Sequence, residues 1–296
     1  MLGLLNKLRN LFGGSRQIPL AVEARFERLR SAVSGTMSNF IVARDRRSNR
    51  VVGVKICDQE KVQFFESRFK GMNKPSEGQI AASLHHPNVV ETFEYGMTNK
   101  AAPYLVMEYI DGAGLQQVIQ NREEQRVKPH RMALIQQMAE ALQYLHGQGY
   151  IHRDICPRNF LLSSDYSRVK LIDFGLTVPA TKEFMQPGNR TGTPLYMAPE
   201  IVRRKSTDQR VDIFSFGVTV YQFLTYELPW PGDDTSGLAA LHHDTSQATD
   251  ILSYRPDLNK SLATLVMQCL RANPAERIQS MDVFLSLLKP IHSEVA

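Results

Sequence analysis

The chain has only three cysteines in 296 residues, Cys57, Cys156 and Cys269. They are odd in number, far apart and include no CxxC pair. That excludes a disulfide framework or a zinc knuckle, and it points to a reducing, cytoplasmic setting. No apolar run approaches the roughly 18–20 residues that a membrane span needs. Eight histidines are present, but none stands in the HExxH spacing of a metalloprotease, and no GxxxxGK followed by Ser or Thr is found. Internal repeats and low-complexity tracts are also missing. Charge of one sign is scarce on the body: the net charge is +5, and the first thirty residues carry +4 of it. A nucleic-acid binder needs a basic face on its folded part, so no nucleic-acid partner is expected.

What is present reads as a soluble α+β protein, 43% hydrophobic and 22% charged. Leu4, Leu5, Leu8, Leu11 and Phe12 recur at helical spacing around Lys7 and Arg9. Residues 1–20 thus form a basic amphipathic tail, expected to dock on the body or fray. A weak contact of residues 1–16 with a membrane surface or a partner is the alternative. Strands are expected at residues 40–43 and 51–56 around a polar turn, and again at 89–95 and 104–109. Pro75 and Ser76 open a helix running to Leu84. Beyond Asp111-Gly112-Ala113-Gly114 the chain turns helical. Met132, Ile135, Met138, Ala139, Leu142 and Leu145 form one apolar stripe, and residues 211–224 are apolar on nearly every side, as a central buried helix requires. A strand-rich front and a helical back give two lobes, expected over 21–110 and 111–292.

Chemistry concentrates in short motifs. His152-Arg153-Asp154 is followed by Asn159, Asp173-Phe174-Gly175 comes nineteen residues after Asp154, and Ala198-Pro199-Glu200 follows Gly192-Thr193. Upstream stands Val52-Gly53-Val54-Lys55. Several motifs in this order resemble the eukaryotic-type serine/threonine protein kinases, from about residue 24 to 290. The resemblance implies a bilobal fold with a small strand-rich N-lobe carrying one main helix, and a larger helical C-lobe. It also implies ATP and Mg²⁺ as cofactors and a protein substrate that offers a Ser or Thr hydroxyl. Asp154 would be the catalytic base. Lys55 would hold the nucleotide phosphates and be held by Glu77, ten residues before Pro87. Asn159 and Asp173 would be the metal ligands, since Mg²⁺ prefers oxygen. Met107, the Glu108 carbonyl and the Ile110 amide would border the adenine, with Val33, Gly35, Phe40 and Gly53 above the nucleotide. Asp212 and an Arg277–Glu200 pair would be architectural.

The chain departs from that family pattern in three places. Of the three glycines of the phosphate-covering loop only Gly35 survives, with Val33 and Ser38 in the other two places. Phe40 and Gly53 replace a valine and an alanine. Cys156 stands where such kinases carry a lysine, and Arg158 is expected to supply the missing positive charge. Thr191 is expected to accept a regulatory phosphate that pairs with Arg153. Oligomeric state is not legible. Two rival readings are a scaffold with the same fold that binds nucleotide weakly and acts through protein contacts, and a small-molecule phosphotransferase. The Gly192–Glu200 stretch argues against the second.

Overall fold

A computed structural model describes residues 20–30, 33–34, 38–188, 190–230 and 239–295. The tail 1–16, Gly35 and the side chain of Val33 lie outside the described residues.

The front of the chain is an antiparallel sheet. β1 (Phe26–Arg28), β3 (Ser38–Asp45), β4 (Val51–Cys57), β6 (Pro103–Glu108) and β5 (Thr92–Met97) lie in that spatial order, and β2 (Val33–Ser34) pairs with β3. The polar turn expected between β3 and β4 is present, and both strands run longer than the sequence pattern indicates. The expected strand at 89–95 starts only at Thr92. Val89 instead bridges Leu171 of the other lobe, and the Val90 amide donates to the Leu171 carbonyl at 3.0 Å, so this stretch is already committed to a different partner.

β4 is buried on both faces. One is covered by Leu20, Val22 and Phe26 with Ile41, Tyr104 and Val106, and the other joins the core that continues into the helical lobe. Besides a single turn at Val22–Arg25, this lobe carries the helices α1 (Gln59–Glu66) and α2 (Glu77–Ser83). Ser76 caps α2 by accepting from the Gln79 amide, while the Gln79 side chain returns to the Ser76 amide. This reciprocal box satisfies two amides that a helix start leaves unpaired, and it fixes where Glu77 begins its turn.

The back half is built on α3 (Leu115–Gln120), α4 (Arg131–Gly147), α5 (Arg210–Thr225), α6 (Lys260–Cys269) and α7 (Met281–Leu288). The stripe from Ile135 to Leu145 is the buried face of α4, and in α5 fourteen of sixteen residues are buried. Short strands β7 (Tyr150–Ile151), β8 (Phe160–Leu162), β9 (Val169–Leu171) and β10 (Val178–Pro179) make two small ribbons, β7 with β10 and β8 with β9. β8 and β9 leave and re-enter the cleft between the lobes, which is where the motif residues sit. Arg131 is fully buried, bonded to Glu124, Glu294 and the Tyr226 hydroxyl. Nothing in the sequence pattern singles it out, because the charges it meets lie 7 and 163 residues away.

Candidate active site

The loop between β7 and β8 is shaped by a buried carboxylate. Asp212 of α5 accepts the His152 amide on one oxygen at 2.7 Å and the Arg153 amide on the other at 2.8 Å, and His146 Nε2 lies 3.0 Å from it. Burial alone would raise its pKa, but these hydrogen bonds more than reverse that and keep it ionised. They also hold Arg153 at φ 66°, a left-handed conformation that a residue with a β-carbon adopts only under constraint. The turn swings Asp154 out into the cleft.

Asp154 is tightly surrounded. Thr193 donates to its Oδ1 twice, from the hydroxyl at 2.6 Å and from the amide at 2.9 Å. Asn159 Nδ2 donates to its Oδ2 at 3.1 Å and to its carbonyl at 2.7 Å. Burial raises its pKa above the usual carboxylate value, and the Thr193 hydrogen bond works the other way. Arg158 is exposed, and its Nη2 donates to Thr193 Oγ1 at 2.8 Å, one atom removed from the Asp154 carboxylate. Cys156 is fully buried beneath this group, with Thr193 Oγ1 at 3.7 Å from its sulfur. Burial lifts its thiol to about 11, so it offers no charge.

Lys55 lies near the centre of β4 and projects into the cleft. Its Nζ donates to Glu77 Oε1 at 2.5 Å and to Asp173 Oδ1 at 2.9 Å, closing a bridge over 118 residues of chain. Burial would favour the neutral amine, but Asp173 and Glu77 outweigh it and the ammonium form is retained. Asp173 feels the converse: burial would raise its pKa, and Lys55 holds it down to about 2. Asp173 has φ 65°, and its Oδ1 also accepts the Gly175 amide at 3.1 Å. A β-carbon on Gly175 would lie 3.2 Å from that oxygen and 3.5 Å from Glu77, so glycine leaves room for the carboxylates to face Lys55. Phe174 is buried against the His152 ring at 5.6 Å, which couples the two motif loops.

Lys55, Glu77, Asp154, Arg158, Asn159 and Asp173 thus line one cavity of about 1090 Å³. Phe40, Gly53, Met107, Glu108 and Ile110 do not line it. They stand beside it along β3, β4 and the end of β6, with Gly53 paired to Val42 on one side and Met107 on the other. The Ile110 amide has no hydrogen-bond partner among the described residues. Glu108 is engaged: its amide donates to the Glu91 carbonyl at 3.0 Å and its carboxylate accepts from Lys170 at 2.5 Å.

The donor set suits a divalent metal ion that prefers oxygen ligands. Asp173 is ionised and about half-exposed to the cleft, with the Asn159 amide nearby in the same cavity. Among the described residues no three His, Cys, Asp or Glu side chains form a closed cage.

Thr191 is placed differently from expectation. It is buried at 8% exposure, and its hydroxyl has no partner. Arg153 is turned to the Phe184 carbonyl at 2.7 Å and the Thr207 hydroxyl at 3.0 Å. In this conformation the Thr191 hydroxyl is buried, and the Arg153 side chain is paired through Nη2 alone, with no hydrogen-bond partner for its buried Nε and Nη1 among the described residues. Sequence reasoning missed Phe184 and Thr207 because neither sits in a motif, and they lie 31 and 54 residues from Arg153.

The model of the protein kinase domain matches residues 26–286. The chain belongs to the protein kinase family. Over 266 residues it is 32% identical to the serine/threonine-protein kinase PknB of Mycobacterium leprae, which covers 88% of this chain and 42% of that protein. It is 32% identical over 258 residues to the probable serine/threonine-protein kinase SCO3848 of Streptomyces coelicolor, covering 84% and 37%. Against pkn3 of Myxococcus xanthus the identity is 29% over 276 residues, covering 88% and 48%. The chain therefore spans less than half the length of these curated relatives. The bilobal fold expected from the resemblance is the fold observed. No helix among the described residues is long and apolar enough to cross a membrane.

Proposed function

We propose that this kinase-family chain is an active serine/threonine protein kinase that moves the γ-phosphoryl group of Mg-ATP to a protein hydroxyl. The observation that carries the reading is the Lys55 ammonium bonded to both Glu77 and Asp173 in the cavity that also holds Asp154. Phosphoryl transfer asks the protein for positioning and charge neutralisation more than for covalent chemistry. Lys55 would grip the α/β-phosphates, steered by Glu77. Asp173 and the Asn159 side-chain oxygen would hold magnesium, whose charge offsets that of the phosphates.

Asp154 would align the substrate hydroxyl and accept its proton, its raised pKa making it a better base than an exposed carboxylate. The Thr193 hydroxyl on Asp154 supports serine and threonine as acceptors. Met107 and the Glu108 and Ile110 backbone would edge the adenine, under Phe40, Gly53, Val33 and Gly35. The lobes would divide near residue 110, and three buried free thiols support a cytoplasmic setting. Nothing in the charge pattern supports a nucleic-acid partner. Phosphoamino-acid analysis of a generic protein substrate incubated with Mg-ATP tests the reading. Phosphoserine or phosphothreonine is expected; phosphotyrosine alone, or no transfer, would overturn it.

A further inference from the structure

An exposed apolar surface lies at the edge of the sheet lobe. β5 is an edge strand, and its alternate residues Phe93, Tyr95 and Met97 are 45%, 37% and 46% exposed. Phe64 on neighbouring α1 is 68% exposed. Val62 and Phe65 of α1, Tyr95 and Met97 of β5, and Pro103 of β6 line a further part of the cavity already described. Soluble proteins usually cover or charge such an edge, because bare apolar strands pair with other chains.

The chain itself arrives at this place. The Leu20 amide donates to the Met97 carbonyl at 3.0 Å, and the Asn99 amide donates to the Leu20 carbonyl at 2.9 Å. The chain therefore joins the described residues beside the end of β5, next to Met97. The segment before Leu20 carries Leu4, Leu5, Leu8, Leu11 and Phe12 at the spacing of one helical face. Residues 13–19 can span at most about 24 Å when extended, and β5 is about 20 Å long. A helix over residues 4–12 can thus reach any point along the strand. Tethering at Leu20 gives it an effective concentration in the millimolar range, which a free partner rarely matches.

We infer that residues 4–12 of this same chain dock by their leucine face on the apolar groove formed by α1 and the outward residues of β5. The contact would bear on catalysis through Tyr95. Gly78 follows Glu77 in α2, and a β-carbon there would come within 2.6 Å of the Tyr95 ring, so Tyr95 is packed directly against the helix that carries Glu77. A segment seated on Tyr95 and Met97 braces that helix. The inference does not depend on the catalytic reading, and its test uses no activity.

Hydrogen exchange followed by mass spectrometry on the full chain reads it directly. The first helical turn has unpaired amides, so the informative amides are those of residues 8–12. They are expected to exchange about ten-fold more slowly in the wild type than in Leu8→Glu, whose change lies outside the folded body. Met97→Glu, at an exposed position, should abolish the same protection while the C-lobe keeps its own. Protection should be unchanged on dilution and without lipid. Equal exchange in wild type and Leu8→Glu overturns the inference, as does protection that survives Met97→Glu. Protection lost on dilution would instead assign the groove to a second copy. Protection seen only with phosphatidylglycerol vesicles would assign the tail to a membrane. Either result also overturns it.

Discussion

A β-carbon added to Gly53 would meet Phe40 Cε2 and Cζ at 2.7 Å and Met107 Cγ at 3.2 Å. The two departures from the family pattern, Phe40 for valine and Gly53 for alanine, are therefore one exchange of volume between diagonal positions on β3 and β4. Contacts of this kind couple by about 1 kcal/mol or more. Gly53→Ala should push the Phe40 ring toward the base site and raise the KM for ATP several-fold, and adding Phe40→Val should restore it. Additive effects of the two changes in steady-state kinetics would show that they are independent. Thr193 supplies a second test. Its hydroxyl lowers a pKa that burial raises, so Thr193→Ala should move the acid limb of the kcat–pH profile to higher pH. A limb that stays in place or moves down would refute the hydrogen bond's role. Arg158 donates to the same hydroxyl, and on the proposed reading its cation would stabilise charge developing on transferred phosphate. Arg158→Ala should lower kcat by roughly ten-fold or more with little change in the KM for ATP, and Cys156→Lys in that background should recover part of the loss. Turnover like the wild type would leave Arg158 a surface residue.

Between elements, the Glu200–Arg277 pair joins the end of the cleft segment to the α6–α7 connection. Arg277 donates from Nη1 and Nη2 to the two Glu200 oxygens at 2.8 and 3.1 Å, and to the Arg210 carbonyl at 2.6 Å, with almost no exposure. Removing one partner leaves a buried carboxylate uncompensated, which costs about 3–5 kcal/mol. Arg277→Ala should lower the urea midpoint accordingly. Arg277→Lys should recover only part of it, because an ammonium cannot fork across both oxygens. A midpoint within experimental error of the wild type would contradict the assignment. Helices α4 and α5 were legible in the sequence because burial imposes its period on apolar residues. The start of β5 was not, because Val89 and Val90 look like strand residues but are claimed by Leu171, and alternation carries no record of which lobe a residue will pair with. Arg131 and the partners of Arg153 escaped for a related reason: they are held by tertiary contacts that leave no local pattern.

In the whole molecule, the sheet lobe supplies Lys55 and Glu77, the helical lobe supplies Asp154, Asn159 and Asp173, and the bridge from Lys55 to Asp173 joins them across the cleft. The candidate residues stood out in the sequence because each occupies a short contiguous motif, Glu77 excepted, which only its spacing from Pro87 marked. Their mutual arrangement was not legible, and neither was the collapse of Phe40 onto Gly53 nor the burial of Thr191. The central claim is that this arrangement transfers phosphate despite Cys156. The most direct measurement is the initial rate of phosphate transfer from labelled Mg-ATP to a protein substrate, for wild type beside Asp154→Asn. The variant keeps the size and most hydrogen-bonding capacity of the side chain but cannot accept the proton. The account predicts clear transfer by the wild type and a loss of about 10²-fold or more in the variant, within the usual range for a removed general base. Equal rates in the two proteins, or none in the wild type at millimolar nucleotide, would contradict it.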